Sequence, residues 1–303
     1  MARLGWMDGL RGIAALQVVL LHVLSVFLPA IGTLTPDAAH YSWEAYFIHT
    51  PLSILFDGYS SVYLFFILSG AALTYPFSAR PVAVPSSMLR RLIRLGLPMA
   101  ASILLAATLI GVFGPSFVPA EKLTKSGDWL IYAALQSVSL TEILHEIFLE
   151  NILTGFADLG FMPSGIMNRM GIVPHGTTYN GPLWTLHIEF VGSLVIALFV
   201  ALRSLTSRHV HLAVALIFAL AFAASPLVLF VVGHLAADSL HNVDASRPRI
   251  GFGLVMLIGG FLLCSINNAE PARLVLSVLP RPPLGPLLGT TNMRRMLGAI
   301  LIF

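Results

Sequence analysis

The sequence predicts an all-α protein built as a multi-pass bundle of transmembrane helices. Of its 303 residues, 57% are hydrophobic and only 10% are charged, whereas an ordinary soluble domain carries about 25% charged residues. The apolar residues also form long continuous runs, and a helix needs about 20 mainly apolar residues to span a bilayer. Together these two observations predict one membrane-embedded domain over residues 1–303.

Seven apolar runs have the composition of spanning helices, and an eighth begins near Met296. The eighth run reaches Phe303 after a few residues, so we expect the sequence to be part of a longer protein. The seven runs cover about 9–30, 54–77, 92–114, 183–202, 209–224, 226–241 and 250–266.

The segment 129–153 is apolar at first but then carries four ionisable residues. Charged side chains are costly on a lipid-facing helix, so this segment is not expected to cross the membrane as a simple span. An interfacial, a re-entrant and a bundle-buried position all remain open. The four residues are Glu142, His145, Glu146 and Glu150.

The distribution of lysine and arginine predicts the orientation, because cytoplasmic loops are enriched in both. The stretch 31–53 contains neither residue, so it is placed outside and the amino terminus is placed in the cytoplasm. In a bacterial cell this membrane would be the inner (plasma) membrane. Arg294 and Arg295 fit the scheme poorly. The residues that mark inside segments are Arg3, Arg11, Arg80, Arg90, Arg91, Arg94, Arg203 and Arg208.

Charge and cysteine content exclude several classes of function. The formal charge of +3 is small and the basic residues lie in loops, so nothing indicates nucleic-acid binding. The single Cys264 excludes an intrachain disulfide, a cysteine-rich zinc site and an iron–sulfur cluster. No metal site is predicted.

Two ionisable residues of the first apolar run share one helical face. Arg11 and His22 are eleven residues apart, which at about 100° per residue returns to the same side. At about 1.5 Å per residue, His22 lies about 16 Å deeper, near the middle of the bilayer. A histidine there can act as a general base towards a hydroxyl, and Arg11 can hold an anionic donor group. The alternative is that His22 bonds a neighbouring helix and serves packing.

A second basic cluster begins the third run. Arg91 and Arg94 are three residues apart and share a face, with Arg90 beside them, and arginine forks suit phosphates. The positive-inside rule alone also predicts arginines at a cytoplasmic helix end.

A third polar stretch runs from Tyr179 to Glu189, at the start of another span. Glu189 lies about two turns into that helix, where it can orient His22 or bind acceptor hydroxyls. The alternative is a buried carboxylate paired with an arginine for structure. Trp184 on its own suits an interfacial belt better than a sugar platform.

Taken together, these stretches resemble acyltransferase family three, the multi-pass membrane enzymes that O-acylate surface polysaccharides and related acceptors. The resemblance rests on four motifs, in order, between residues 8 and 189. The motifs are Asp8 to Gly12 followed by His22, Phe65 to Gly70, the pair Arg91 and Arg94, and Pro182 to Glu189.

The resemblance implies roles for these residues. His22 is expected to be the catalytic histidine, with Arg11 as its partner and Glu189 in the same buried polar site. The acyl-coenzyme A donor is expected to bind the arginine cluster, and acetyl is the family's commonest donor group. The expected acceptor is a glycan or a lipid-linked sugar. We assign Trp184, Asn180 and Ser69 to acceptor binding.

The family usually has about ten helices, and its last one commonly carries a tyrosine-leucine-x-histidine stretch. This sequence stops before any such stretch, so the acyltransferase domain is expected to be incomplete at its C-terminus. Tyr63 and His187 also depart from the usual motif neighbours. A proton-coupled transporter is the main alternative, since buried Arg, His and Glu can relay protons; the absence of an internal repeat disfavours it. An inactive structural subunit is a third possibility, which the intact motifs disfavour.

Overall fold

A computed structural model describes ten stretches of the chain, and all the regular structure within them is helical, as predicted. Arg3, Arg80, His241 and residues 129–137 of the ambiguous segment lie outside the described residues. The described stretches are 5–33, 36–48, 50–79, 83–114, 117–126, 138–155, 178–223, 225–240, 250–265 and 291–303.

The helices follow the apolar runs closely. The α-helices are α1 Gly5–Phe27, α2 Pro29–Thr33, α3 Glu44–Ile48, α4 Gly58–Ala79, α5 Val84–Phe113, α6 Phe117–Thr124, α7 Leu140–His145, α8 Trp184–Leu205, α9 Arg208–Ala221, α10 Leu227–Leu240, α11 Ile250–Ser265 and α12 Thr291–Ile302. Three short 3₁₀ helices cover Pro36–Ala38, Pro51–Phe56 and Gly181–Leu183, and a π-helix covers Glu146–Thr154.

Four helices of the described residues are long and apolar enough to cross a membrane: Gly5–Phe27, Gly58–Ala79, Val84–Phe113 and Gly181–Leu205. These four spans support the prediction of an integral membrane protein. The later apolar helices α9, α10 and α11 have 14, 14 and 16 residues, which is shorter than a full span.

Two predicted boundaries were wrong. Helix α5 begins at Val84 rather than near residue 92, because Pro85 is tolerated in a first helical turn. The arginine cluster therefore lies inside this helix and not at its start. Helix α12 begins at Thr291 rather than near Met296, since polar residues extend it beyond the apolar run.

The chain divides into two compact units, Met1–Tyr75 with Leu212–Phe303, and Pro76–His211. In the first unit, α1 packs on α2 and on the 3₁₀ helix Pro51–Phe56, and α11 packs on α12. In the second unit, α8 packs on α5 and on the π-helix.

One face of the described part of segment 129–153 is buried within the second unit. Glu146, Glu150 and Asn151 of the π-helix are each at most 4% exposed, whereas Glu142 on α7 is exposed. Leu140, Leu144 and Phe148 of the same part are 70%, 46% and 67% exposed, so residues 138–153 have one buried and one exposed face.

In the first unit, α4 crosses α10 at two glycines. A Cβ added at Gly70 would collide with the backbone carbonyl of Phe230, and one at Gly233 would collide with that of Ile67. Small residues allow this close approach of two membrane helices. The glycine of the Phe65 to Gly70 motif therefore has a packing role.

Candidate functional site

Arg11 and His22 lie on the same flank of α1. The buried face of this helix carries Met7, Ala14 and Leu21, and both ionisable residues border it with part-buried side chains. The eleven-residue spacing thus brings arginine and histidine to one side of the helix, as expected. Both belong to the first unit.

The structure joins two of the sequence motifs through Arg11. Its Nη2 donates a hydrogen bond to the carbonyl oxygen of Leu68, at 3.4 Å. Leu68 is followed by Ser69, whose side chain is 6% exposed. The guanidinium of Arg11 therefore bonds the backbone of the Phe65 to Gly70 motif, one residue before this serine.

Gln17, between Arg11 and His22, is a polar residue that the sequence interpretation missed. Its Nε2 donates to the carbonyl of Ile54 at 2.9 Å, and its Oε1 accepts from Ser61 Oγ at 2.7 Å. The first bond ties the segment before α4 to the middle of α1, and the second ties the first turn of α4 to it. A lone glutamine in an apolar run does not by itself indicate a polar network, because its hydrogen-bond partners are distant in sequence.

A buried ion pair also lies at the start of α4. Asp57 is 7% exposed and accepts hydrogen bonds from Ser60 Oγ at 2.5 Å and from Arg295 Nε at 3.1 Å. The guanidinium of Arg295 also lies 5.0 Å from the ring centre of Tyr59, a cation–π geometry. The charge of Arg295 is thus neutralised by a carboxylate within the same unit.

In the second unit, the structure separates the predicted arginine pair. Arg91 is 9% exposed and forms an ion pair with Glu189 of α8, whereas Arg90 and Arg94 are exposed. Glu189 therefore matches the structural alternative of a carboxylate paired with an arginine. Arg90 and Arg94 present their charges to the surroundings.

Glu146 of the π-helix holds the loop that leads into α8. Its Oε2 accepts from the Tyr179 amide at 2.9 Å and its Oε1 from the Asn180 amide at 3.4 Å. Burial raises the pKa of this carboxyl above its ordinary value, although the two amide donors act in the opposite direction. The side chain of Asn180 in turn donates to Ser102 Oγ at 2.6 Å. Asn180 is thus fixed in place by two elements.

His187 and Trp184 complete the start of α8. The buried His187 bonds the carbonyl of Ile152 in the π-helix through Nδ1, at 3.0 Å. Trp184, the first residue of α8, is partly exposed. A histidine at this position departs from the usual family motif, and its contact explains how the fold accommodates it. The imidazole forms a hydrogen bond with a backbone carbonyl of the π-helix that packs on α8.

The predicted site residues fall into the two units. Arg11, His22 and Ser69 belong to the first, and Arg90, Arg91, Arg94, Asn180, Trp184 and Glu189 belong to the second. The sequence interpretation missed Gln17, Asp57, Glu146 and Arg295 as members of polar networks. Of these, Glu146 carried a signal as a charge within an apolar segment, and Arg295 carried one as an arginine that fitted the predicted topology poorly.

Comparison with known proteins gives the family context. The profile of a family described as an acyltransferase domain matches residues 4–288. A protein named O-acetyltransferase PaAT-1, from Phomopsis amygdali, is 27% identical over 268 residues, which is 77% of this chain and 48% of the relative. The chain thus spans about half the length of that curated relative. No solved structure matches the chain.

Proposed function

Because the chain belongs to acyltransferase family three, we propose that it is a membrane O-acyltransferase that uses acyl-coenzyme A, foremost acetyl-coenzyme A. The proposed acceptor is a hydroxyl of a carbohydrate or of a related lipid-linked sugar, and the proposed site is the plasma membrane with the amino terminus in the cytoplasm. The observation that carries the proposal is the bond of Arg11 to Leu68. It joins the first two family motifs on the flank of α1 that also holds His22.

The chemistry assigned to His22 is the transfer of a proton or of the acyl group. As a general base, the imidazole takes the proton of the acceptor hydroxyl while that oxygen attacks the thioester carbonyl. The carbon–sulfur bond then breaks, and the coenzyme A thiolate leaves and takes up the proton. As a nucleophile, the imidazole itself accepts the acyl group and passes it to the hydroxyl in a second step.

Donor binding is assigned to the exposed arginines of α5. Coenzyme A carries several phosphate charges, and Arg90 and Arg94 present exposed guanidinium groups that suit them. Arg91 is already paired with Glu189, so its contribution to the donor site is indirect: it fixes α5 against α8. The structure thus supports a donor site with two direct arginines, Arg90 and Arg94, rather than the pair Arg91 and Arg94 that the sequence motif implies.

The test is binding of radiolabelled acetyl-coenzyme A to the detergent-purified protein, compared with the variant Arg90→Ala/Arg94→Ala. Saturable binding that is lost in this variant supports the donor site. Arg208→Ala is the matched control, since it removes an exposed arginine from another helix.

Turnover is tested on the same preparation. His22→Ala is expected to keep donor binding and to lose acetyl transfer and hydrolysis. Radiolabel that stays on wild-type protein without an acceptor indicates the acyl-carrier route, and its absence indicates the base. Because no ion gradient exists in detergent, turnover there also separates an enzyme from a transporter. Full turnover by a folded His22→Ala protein would refute the assignment.

A further inference from the structure

A row of aromatic rings lies between α1 and α4 in sequence, within the first unit. The rings of Tyr41 and Trp43 stack with centres 6.0 Å apart and planes inclined by 12°. Trp43 then meets Phe47 edge-on at 5.9 Å, and Phe47 meets Phe56 at 5.9 Å. We call these four residues the ring row; His40 extends it with its ring centre 6.4 Å from that of Tyr41.

The ring row runs from an exposed end to an inner end. Tyr41 and Trp43 are 59% and 45% exposed, whereas Phe47 and Phe56 are partly buried. The 3₁₀ helix that contains Phe56 packs on α1, and the carbonyl of Ile54 in this helix accepts the bond from Gln17. The inner end therefore reaches the helix that carries His22, within one and a half turns of that residue.

Buried polar atoms without a hydrogen-bond partner accompany the ring row. Among the described residues they include Glu44 Oε2, Thr50 Oγ1 and Ser53 Oγ, all within ten positions of one another, and Ser25 Oγ on α1. Glu44 is 0% exposed, and its other oxygen accepts from the amides of His40 and Tyr41 at 2.9 and 2.8 Å.

A buried polar atom that lacks a partner costs free energy, so each such atom in a native protein calls for a reason. Three of them in the segment that carries the ring row, and one on α1 against which this segment packs, fit a ligand rich in hydroxyl groups. Hydroxyl donors suit the free oxygen of Glu44, and ring hydroxyls can both donate to and accept from Thr50 and Ser53.

The charge of the segment favours a neutral sugar over an anionic ligand. Residues 31–53 contain no lysine or arginine but include the carboxylates of Asp37 and Glu44. A phosphate-bearing headgroup would meet these carboxylates, and the segment itself offers it no lysine or arginine. A neutral sugar instead offers an apolar C–H face for the aromatic rings and hydroxyls for the carboxylate.

We propose that the ring row, with Glu44 and the buried hydroxyls of Thr50 and Ser53, is a binding platform for a neutral sugar ring of the acceptor. The row would guide that ring from the exposed Tyr41 and Trp43 towards α1 and His22. This assignment deepens the proposed function and rests on it, since it names the acceptor class and the side from which the acceptor enters.

The experiment uses the full chain in phosphatidylcholine nanodiscs, with methyl β-D-glucopyranoside and cellotriose as probes. Saturation-transfer NMR measures binding to the sugar C–H protons. Trp43→Ala and Tyr41→Ala are each expected to weaken binding about tenfold, as expected for the loss of one stacking platform. Trp43→Phe is expected to restore most of the affinity. Tyr46→Ala is the matched control, because Tyr46 is a 76% exposed tyrosine on α3 that does not belong to the ring row.

Three results would overturn the platform. The first is failure of both sugars to bind the wild-type protein, and the second is equal binding by Trp43→Ala. The third is quenching of Trp43 fluorescence, taken as the difference between wild type and Trp43→Phe, by nanodisc lipids with brominated acyl chains; this would place the rings in the membrane interface as an anchoring belt.

Hydrolysis of acetyl-coenzyme A on the same nanodiscs separates the two proposals. Hydrolysis without sugar binding refutes the platform and leaves the acyltransferase proposal standing. Sugar binding that depends on Trp43, without any acetyl-coenzyme A turnover, supports the platform and counts against the proposed donor.

Discussion

Removal of either member of the Arg91–Glu189 pair is expected to destabilise the second unit. The side chains are 9% and 17% exposed, so each deletion leaves an opposite charge largely buried. Breaking a buried ion pair in this way costs about 3–5 kcal/mol. Because Glu189 retains some exposure, we expect the lower end, about 3 kcal/mol for Arg91→Ala. At about 2 °C per kcal/mol in a chain of this size, the melting temperature should fall by about 6 °C.

Thermal unfolding followed by tryptophan fluorescence is the assay. Trp184 opens α8, five positions before Glu189, and reports on the helix concerned. Arg94→Ala is the matched control, since it removes an exposed arginine one turn further along α5. Its expected effect is within about 0.5 kcal/mol, as for most surface substitutions. The double variant Arg91→Met/Glu189→Met is expected to regain most of the lost stability, since it leaves no charge unpaired.

The reasoning fails if Arg91→Ala and Arg94→Ala lower the melting temperature equally. It also fails if the double methionine variant is less stable than both single variants. Either result would mean that Arg91 does not owe its position to Glu189. Donor binding would then have to be assigned to Arg91 again.

Three further predictions follow from the packing and the networks. Gly70→Ala is expected to destabilise the protein by about 1–3 kcal/mol, because the added Cβ meets a backbone carbonyl of α10. At Gly96 the nearest neighbour of an added Cβ is a side chain at 3.8 Å, so Gly96→Ala should be neutral or mildly stabilising in thermal unfolding. The single variant Arg295→Ala should lower the melting temperature more than the double variant Arg295→Ala/Asp57→Asn, because the double variant no longer contains the uncompensated carboxylate. Equal shifts of the melting temperature in the two variants would contradict the pairing. Burial raises the pKa of Glu146 above 4.5, so the native state holds a proton that the unfolded chain has released. Relative to Glu146→Gln, the stability of the wild-type protein should be greatest below about pH 4.5 and should fall as the pH rises through the raised pKa. Parallel curves of stability against pH for the two proteins would contradict this prediction.

Four of the seven predicted spans and the shared flank of Arg11 and His22 could be predicted from the sequence, because both depend on local regularities. Apolar length identifies a spanning helix, and the helical period fixes which residues share a side. The start of α5 was placed near residue 92 instead of Val84 because hydropathy detects only the apolar part of a helix. It misses a polar first turn, which proline and serine can begin.

The polar partnerships could not be predicted, because they join residues far apart in the chain. Arg91 and Glu189 are separated by 98 positions, and Asp57 and Arg295 by 238. A charge pattern along the sequence shows that a cation is present, and it does not show which carboxylate neutralises it. The motif spacing of Arg91 and Arg94 therefore suggested one shared role, whereas packing gives one of them a structural partner and leaves the other exposed.

The division between satisfied and unsatisfied polar groups provides a physical criterion for function in this protein. In an apolar bundle a buried charge is costly unless it is paired, and the described residues show this pairing at Arg91 with Glu189 and at Asp57 with Arg295. Groups that the fold leaves without a partner, such as Glu44 Oε2, retain that cost unless a ligand or water meets them. Loss of a paired group should therefore reduce stability first, whereas loss of an unpaired one should reduce ligand affinity and leave stability unchanged or improved. Glu44→Gln tests this criterion directly: lower affinity for the sugar probes with an unchanged melting temperature supports it, and a lower melting temperature with unchanged affinity would show that Glu44 serves the fold alone.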